Sequence, residues 1–342
     1  MNNASNHKLV FYQDSRFAGV LLSVLLLIGF VAHLQSGAIS IVWHELFTLN
    51  AQQSLVLWEL RLPRVLLVAF IGAGLALAGV GLQALFRNPL AEPALIGISS
   101  SAALGTVFVI VLGGTLWQSV AVWQMNLAAF LSAGLATIFI YLLATRYGRT
   151  DVALMLLAGV ALNALAGAAT QLLVSISDDA QLRNVTFWLM GSFANVSWLT
   201  VALVAVVTSA VAAFFISVAQ ALNAFMLGEN ISLHMGYDCK QIKWQIMFVS
   251  ALMVGVAVAS VGVIGFVGLI VPHIIRLWMG SNHRTLLPLS AIAGATLLVF
   301  ADLVAKTLIA PAELPIGLFM ALIGAPFFLM MLLKQRQAWL KS

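Results

Sequence analysis

Charge is scarce in this chain of 342 residues, because only 8% of them are Asp, Glu, Lys or Arg and 62% are hydrophobic. Soluble globular domains are about a quarter charged, so the composition excludes an ordinary soluble fold. Cysteine is almost missing too, and the single Cys239 excludes a disulfide framework within the chain. The net charge of +5 gives no indication of nucleic-acid binding, and we expect none.

Motifs of catalysis and nucleotide binding are also missing. The sequence has no G-x-x-x-x-G-K-[ST] loop for nucleotide phosphates and no H-E-x-x-H zinc motif. No G-x-S-x-G elbow pairs with a buried histidine, and "GISSS" at 97–101 is interpreted as a structural turn. We therefore expect no enzyme, no metal site and no cofactor bound by the chain itself.

Apolar runs of membrane-spanning length make up most of the sequence. A helix needs roughly 20 apolar residues to cross a bilayer, and such windows recur ten times. They lie at about 17–34, 65–85, 94–114, 119–144, 152–175, 197–219, 244–262, 264–280, 285–309 and 315–334. Residues 1–37 also have features of a signal peptide, but we interpret them as the first span. The sequence thus predicts one all-α polytopic membrane domain over residues 1–342.

The distribution of Lys and Arg predicts the orientation, because cytoplasmic loops of membrane proteins are enriched in both. With the N- and C-termini in the cytoplasm, twelve of the sixteen basic residues lie on the cytoplasmic side. The other four are Arg61, Arg64, Arg183 and Lys306. This orientation places a polar stretch at about 220–243 in the cytoplasm.

Asp302 is the best candidate for an ionisable residue inside a span, and Lys306 follows it by one helical turn. Ionisable residues in the membrane are costly and frequently mark ion or proton paths. We interpret the two as an intrahelical ion pair near the outer end of their helix. The alternative is a proton-coupled secondary transporter built around them. His33 and His44 are expected at the membrane interface.

Small residues and helix breakers recur along the chain. The small-residue stretches are "GAGLALAG" at 72–79, "GVALNALAGAA" at 159–169 and "GVIGFVG" at 262–268. They predict either close helix packing or the wall of a translocation path. The breaks are expected at "RNPLAEP" (87–93), "APAELPIG" (310–317) and the polar segment "SISDDAQLRNVTFWLMGS" (175–192). Interrupted helices of this kind are common in transporters.

Three long stretches resemble the permease subunits of type II ABC importers, the FecCD-like family for iron chelates, haem and vitamin B12. They cover residues 61–105, 265–308 and 311–334. Their first residues are "RLPRVLLVAF", "GFVGLIVPHIIR" and "PAELPIGLFM", respectively. The resemblance implies a homodimer in the bacterial inner membrane. It also implies two copies of a cytoplasmic ABC ATPase, which uses ATP and Mg, and a periplasmic substrate-binding protein.

The same resemblance assigns roles to individual residues. In the family, the cytoplasmic stretch between spans six and seven forms two short coupling helices that dock on the ATPase. The matching residues here are Leu227, Gly228, Glu229, His234 and Gly236. The basic residues that receive the binding protein correspond to Arg61, Arg64 and Lys306, although the two arginines have lipid-headgroup anchoring as an alternative role.

Polar residues in or near the spans are candidates for the translocation path. We expect Gln83 and Asn163 either to face the path or to form a hydrogen bond with a neighbouring helix. The region 159–192 resembles haem permeases more than siderophore permeases, with vitamin B12 permeases as the main alternative. Arg183 is expected to attract the haem propionates during entry.

Overall fold

The computed structural model describes residues 15–37, 50–117, 121–146 and 149–339. These residues are almost entirely α-helical. The helices are α1 (Ser15–Gln35), α2 (Ala51–Leu55), α3 (Leu62–Phe86), α4 (Ile98–Trp117), α5 (Val122–Ala144), α6 (Val152–Ser175), α7 (Asp179–Leu189), α8 (Trp198–Ser217), α9 (Ala219–Leu227), α10 (Glu229–His234), α11 (Cys239–Val261), α12 (Val267–Met279), α13 (His283–Thr307) and α14 (Ile316–Trp339). The smaller elements are a π-helix (Val56–Arg61), a 3₁₀ turn (Pro93–Ile96) and an antiparallel ladder of β1 (Thr145–Arg146) with β2 (Arg149–Thr150).

Each of the ten predicted spans coincides with a helix in the described part of the chain. Eight helices there are long and apolar enough to cross a membrane, namely α1, α2–α3, α5, α6, α8, α11, α13 and α14. Two shorter apolar helices are α12 and the stretch Ile98–Gly114 of α4. The all-α polytopic architecture is therefore confirmed.

The helix α3 lies at the centre of the bundle and packs against α8, α11, α12 and α13. Glycines allow two of these approaches. A Cβ at Gly72 would collide with the carbonyl oxygen of Gly294 on α13, and a Cβ at Gly79 would collide with that of Gly268 on α12. Close backbone contact of this kind holds membrane helices together, so the packing interpretation of these small residues is confirmed.

The small residues of α6 are arranged differently. Ala161, Ala164, Gly167 and Ala168 are exposed, and a Cβ at Gly167 would meet nothing within 4 Å. The opposite side of α6 packs against α4 and α5. Its small-residue face is therefore open to lipid, to solvent or to another chain.

A buried carboxylate closes the break between α11 and α12. Gly262 and Phe266 adopt positive φ values of 79° and 69°, which interrupts the helix. Glu92 accepts a hydrogen bond from the backbone N–H of Phe266, at a helix N-terminus, where negative charge is favoured. Burial raises the pKa of the Glu92 carboxyl. The predicted break at 87–93 thus supplies the cap for a second break.

Candidate functional site

The segment between α8 and α11 folds into two short helices, α9 and α10, which we call the 219–238 hairpin. Leu222 and Phe225 of α9 are buried against the bundle. Gly228 then turns the chain with φ 125° and ψ 153°, a conformation open essentially to glycine alone. Gly236, with φ 86°, ends α10. The two short helices expected between spans six and seven are therefore present, and glycines form both of their turns.

Glu229 fixes the hairpin to the bundle. Its carboxylate accepts a hydrogen bond of 2.7 Å from Nζ of Lys243 on α11, and the side chain of Lys243 is only 6% exposed. Charge-assisted hydrogen bonds of this kind are among the stronger ones in proteins. The buried Ser232 adds a 3.0 Å bond from its hydroxyl to the carbonyl oxygen of Gly228. Glu229 therefore orients α10 as well as facing outward.

The outer surface of the hairpin is apolar. Five side chains within ten residues are between 39% and 63% exposed, namely Met226, Leu227, Ile231, Leu233 and Met235. His234 is exposed among them. Exposed apolar patches mark interaction sites, and methionine is enriched at protein interfaces. The hairpin can therefore serve as a docking surface for another protein.

The opposite end of the bundle carries charged side chains. Helix α13 starts beside the hairpin, where the backbone N–H of His283 donates to Asn223 of α9 over 2.9 Å. Its 25 residues span roughly 37 Å. At its far end lie the residues that we call the Arg64 cluster: His33, Arg61, Arg64, Asp302, Lys306 and Glu313.

Asp302 lies at the centre of the Arg64 cluster. Arg64 donates to both of its oxygens, from Nε over 2.8 Å and from Nη2 over 3.0 Å. Nε2 of His33 lies 2.8 Å from Oδ2. The predicted ion pair between Asp302 and Lys306 is wrong, because Arg64 reaches across from α3 and takes the carboxylate. His33 lies in the last turn of the membrane-length helix α1 with its side chain fully buried, and its placement at the membrane interface stays a prediction. His44 lies outside the described residues.

Lys306 and Arg61 cap the end of α1. Nζ of Lys306 donates to the carbonyl oxygen of His33 over 2.7 Å and lies 3.1 Å from its Nδ1. Arg61 donates from Nη1 to the carbonyl oxygens of Leu34 and Gln35 over 2.7 and 3.1 Å. Cations are favoured at helix C-termini, where the last carbonyls lack partners. Because the ammonium donates to Nδ1, the ring proton of His33 is on Nε2 and faces Asp302.

The three predicted docking residues are therefore brought together, but each already has a partner within the chain. Arg61 is buried, and the side chain of Arg64 is 14% exposed. A residue that the sequence reasoning did not assign, Glu313, covers the outward part of Arg64. Glu313 belongs to the "AELPIG" motif, which signalled a turn between helices and gave no sign of a partner.

The three predicted path residues occupy different places. Gln83 is buried; it accepts a 2.9 Å hydrogen bond from Arg276 and donates to backbone carbonyls of α12, so the interhelical alternative describes it. Asn163, half-buried, donates to the carbonyl oxygen of Ala94 over 3.0 Å and accepts from the Ser100 hydroxyl. Arg183 is exposed on α7.

The described residues form a polytopic helix bundle with an exposed apolar hairpin at one end and a charged cluster at the other. The chain belongs to the FecCD transport family, whose model matches residues 23–334. It is 41% identical over 318 residues to the hemin transport system permease protein HmuU of Yersinia pestis, covering 92% of this chain and 95% of that protein. It is also 41% identical over 334 residues to the vitamin B12 import system permease protein BtuC of Vibrio cholerae, covering 97% of both.

A solved structure supports the same assignment. A metal-chelate type ABC transporter in an inward-facing conformation superposes with a TM-score of 0.85 at 34% identity, covering 93% of this chain and 99% of that one. The chain is thus a multi-pass permease subunit of an ABC importer and not an enzyme. Permeases of this family work with an ATPase and a binding protein.

Proposed function

We propose that two copies of this chain form the path through which haem crosses the bacterial inner membrane, with both termini of each copy in the cytoplasm. The ATPase subunits bind the 219–238 hairpin of each copy, and a periplasmic binding protein delivers haem at the Arg64 cluster. The similarity to the hemin permease, at 41% identity over 92% of the chain, supports haem as the substrate.

The region 159–192 supports a path between two copies. The exposed face of α6 carries small side chains, including Ala161, Ala164 and Ala168, between larger aliphatic ones such as Leu157 and Leu165. The small side chains leave room for a bulky solute, and the aliphatic ones offer it no polar contact that would retain it. The exposed Arg183 on α7 supplies a cation for the propionates of haem, and Asn163 beside that face is the remaining candidate for a polar contact.

The hairpin supports ATPase binding through its shape and its surface. Leu227 and its apolar neighbours are exposed, while Gly228, Glu229 and Gly236 fix the orientation of α10. A motion of the ATPase would pass into the bundle through the bond between Glu229 and Lys243, which joins α10 to the membrane-length helix α11. His234 is exposed at the tip of α10, where it can contact the partner.

The Arg64 cluster supports docking of an acidic partner. Within the described residues, its charged groups are three cations, Arg61, Arg64 and Lys306, and two carboxylates, Asp302 and Glu313. The cluster is thus positive overall when His33 is neutral. Complementary charge guides the encounter of two proteins and fixes their register.

Vitamin B12 is the second candidate substrate, because the identity to the Vibrio cholerae permease is also 41% and extends over 97% of the chain. A ferric siderophore is the third, through the metal-chelate transporter of similar fold. The alternative of a proton-coupled secondary transporter is ruled out by membership in the FecCD family.

Reconstitution in liposomes with the ATPase and the binding protein tests the proposal. We expect ATP-dependent uptake of haem into the lumen, and an excess of cobalamin should inhibit this uptake only weakly. A Walker-A lesion in the ATPase should abolish this uptake, whereas a protonophore should leave it intact. Uptake of cobalamin with no uptake of haem would contradict the choice of substrate.

A further inference from the structure

The guanidinium group of Arg64 is held on two sides by two different carboxylates. Asp302 takes the Nε and Nη2 edge over 2.8 and 3.0 Å. Nη1 donates to both oxygens of Glu313, each over 2.9 Å. Arginine has five N–H donors in a fixed planar fork. A third carboxylate therefore cannot form a two-bonded contact with Arg64 unless one of the two leaves.

Burial decides which carboxylate can leave. The side chain of Asp302 is 2% exposed and also bonded to His33, whereas that of Glu313 is 41% exposed. Removing one partner of a buried ion pair is strongly unfavourable, while an exposed pair contributes little and is easily exchanged. The outward contact with Glu313 is therefore the replaceable one.

We propose that Glu313 is an internal competitor of the docking partner. A carboxylate of the binding protein takes over Nη1 of Arg64, and Glu313 moves away from it. Asp302 meanwhile keeps the guanidinium oriented. This inference rests on the proposed docking at the Arg64 cluster and adds a positioning residue, Glu313, which sets the affinity of that docking.

The backbone that follows Glu313 is hydrogen-bonded to the chain at the end of α7. The N–H of Ile316 donates to the carbonyl oxygen of Gly191 over 3.1 Å, and the N–H of Gly317 donates to that of Met190 over 3.0 Å. Both acceptors directly follow α7. The chain that follows Glu313 is therefore hydrogen-bonded to the end of the helix that carries Arg183, and the N–H of Leu314, which donates to the carbonyl oxygen of Ala305 over 3.0 Å, holds the backbone next to Glu313 in place while its side chain exchanges.

The proposal is tested by whether the affinity of the permease for the binding protein rises or falls when Glu313 is changed. The permease in lipid nanodiscs is titrated with the purified, haem-loaded binding protein of the same importer. Glu313→Gln should tighten binding about 2- to 5-fold, because the variant removes an exposed ion pair that competes with docking. Glu59→Gln is the matched control: it removes an exposed carboxylate from the adjacent π-helical segment and should leave affinity unchanged.

If Glu313 had a purely structural role, its loss would disorder the Arg64 cluster. The affinity for the binding protein would then fall in the Glu313→Gln variant. Unchanged or weaker binding by the Glu313→Gln variant overturns the exchange and leaves the proposed function intact. A wild-type permease that does not bind the protein at all overturns the docking proposal and the exchange together. Should the Glu313→Gln variant fail to fold, Glu313→Asp takes its place. This variant keeps the charge on a side chain that is one methylene shorter and reaches Nη1 of Arg64 less well, so it should also tighten docking, and unchanged or weaker binding overturns the proposal.

Discussion

Replacing Gly228 by alanine tests whether the shape of the 219–238 hairpin serves ATPase binding. At φ 125° and ψ 153°, a residue with a side chain is strained by about 1–3 kcal/mol. The added Cβ would meet nothing within 4 Å. The effect of the substitution is therefore conformational, and it acts on the angle between α9 and α10.

The strain translates into a loss of affinity. If the hairpin relaxes to escape about 2 kcal/mol of strain, the docking-competent arrangement falls to about 3% of the molecules, and the apparent affinity for the ATPase falls about 30-fold. The full range of strain corresponds to a loss of about 5- to 150-fold. The assay is binding of the purified ATPase to the permease in nanodiscs, measured by biolayer interferometry.

Gly280 provides the control. It adopts φ 84° and ψ −172° between α12 and α13, and a Cβ there also meets nothing within 4 Å. Gly280→Ala thus carries a comparable backbone strain outside the hairpin and should bind the ATPase as the wild type does. Wild-type affinity of Gly228→Ala, or equal losses in both variants, would refute the reasoning.

Three further outcomes are expected. Asp302→Asn should lower the free energy of unfolding in SDS titrations by about 3 kcal/mol, because Arg64 loses its buried partner. Glu313→Gln should lower it by less than about 1 kcal/mol, because that pair is exposed. Equal losses in the two variants would contradict the burial argument. Arg183→Ala should slow haem uptake at limiting haem and leave it unchanged at saturation, and unchanged uptake at limiting haem would remove its proposed role. Glu229→Lys places two cations together and should release the ATPase during copurification. Retention of the partner would show that Lys243 does not fix the docking geometry.

The spans could be predicted from the sequence because apolar length is a local property. The ten windows match helices closely, and the breaks at 87–93 and 310–317 are real because proline acts on its own neighbourhood. The starting point of the second span was predicted less well. Helical structure begins at Ala51 and passes through a π-helical segment before α3, and composition does not mark where a helix leaves the membrane.

The side-chain contacts of the Arg64 cluster could not be predicted, because they join distant parts of the chain. His33 and Asp302 are 269 positions apart, and Arg64 and Asp302 are 238 apart. The i,i+4 rule favoured Lys306 as the partner of Asp302, but the planar fork of Arg64 fits a carboxylate better than an ammonium does. Local rules favoured the nearer cation, Lys306, whereas tertiary packing brings Arg64 into the stronger contact with Asp302.

Two carboxylates had functions that their motifs did not reveal. Glu92 lies in "RNPLAEP" and Glu313 in "APAELPIG". Both motifs were interpreted as turns within the stretches that resemble the family, and neither carboxylate was assigned a role. The first caps α12 and the second holds Arg64. Proline and glycine show where a chain turns, whereas the partner of a side chain on that turn depends on helices that arrive from elsewhere.

The most direct test of the proposed function is growth. The permease, its ATPase and its binding protein are expressed in cells that lack their own inner-membrane systems for haem and for vitamin B12. Growth that depends on haem iron is then measured beside growth that depends on cobalamin. The proposed function predicts rescue on haem and none on cobalamin; rescue on cobalamin alone would contradict it, and the Arg64 cluster and the hairpin would then serve a vitamin B12 importer.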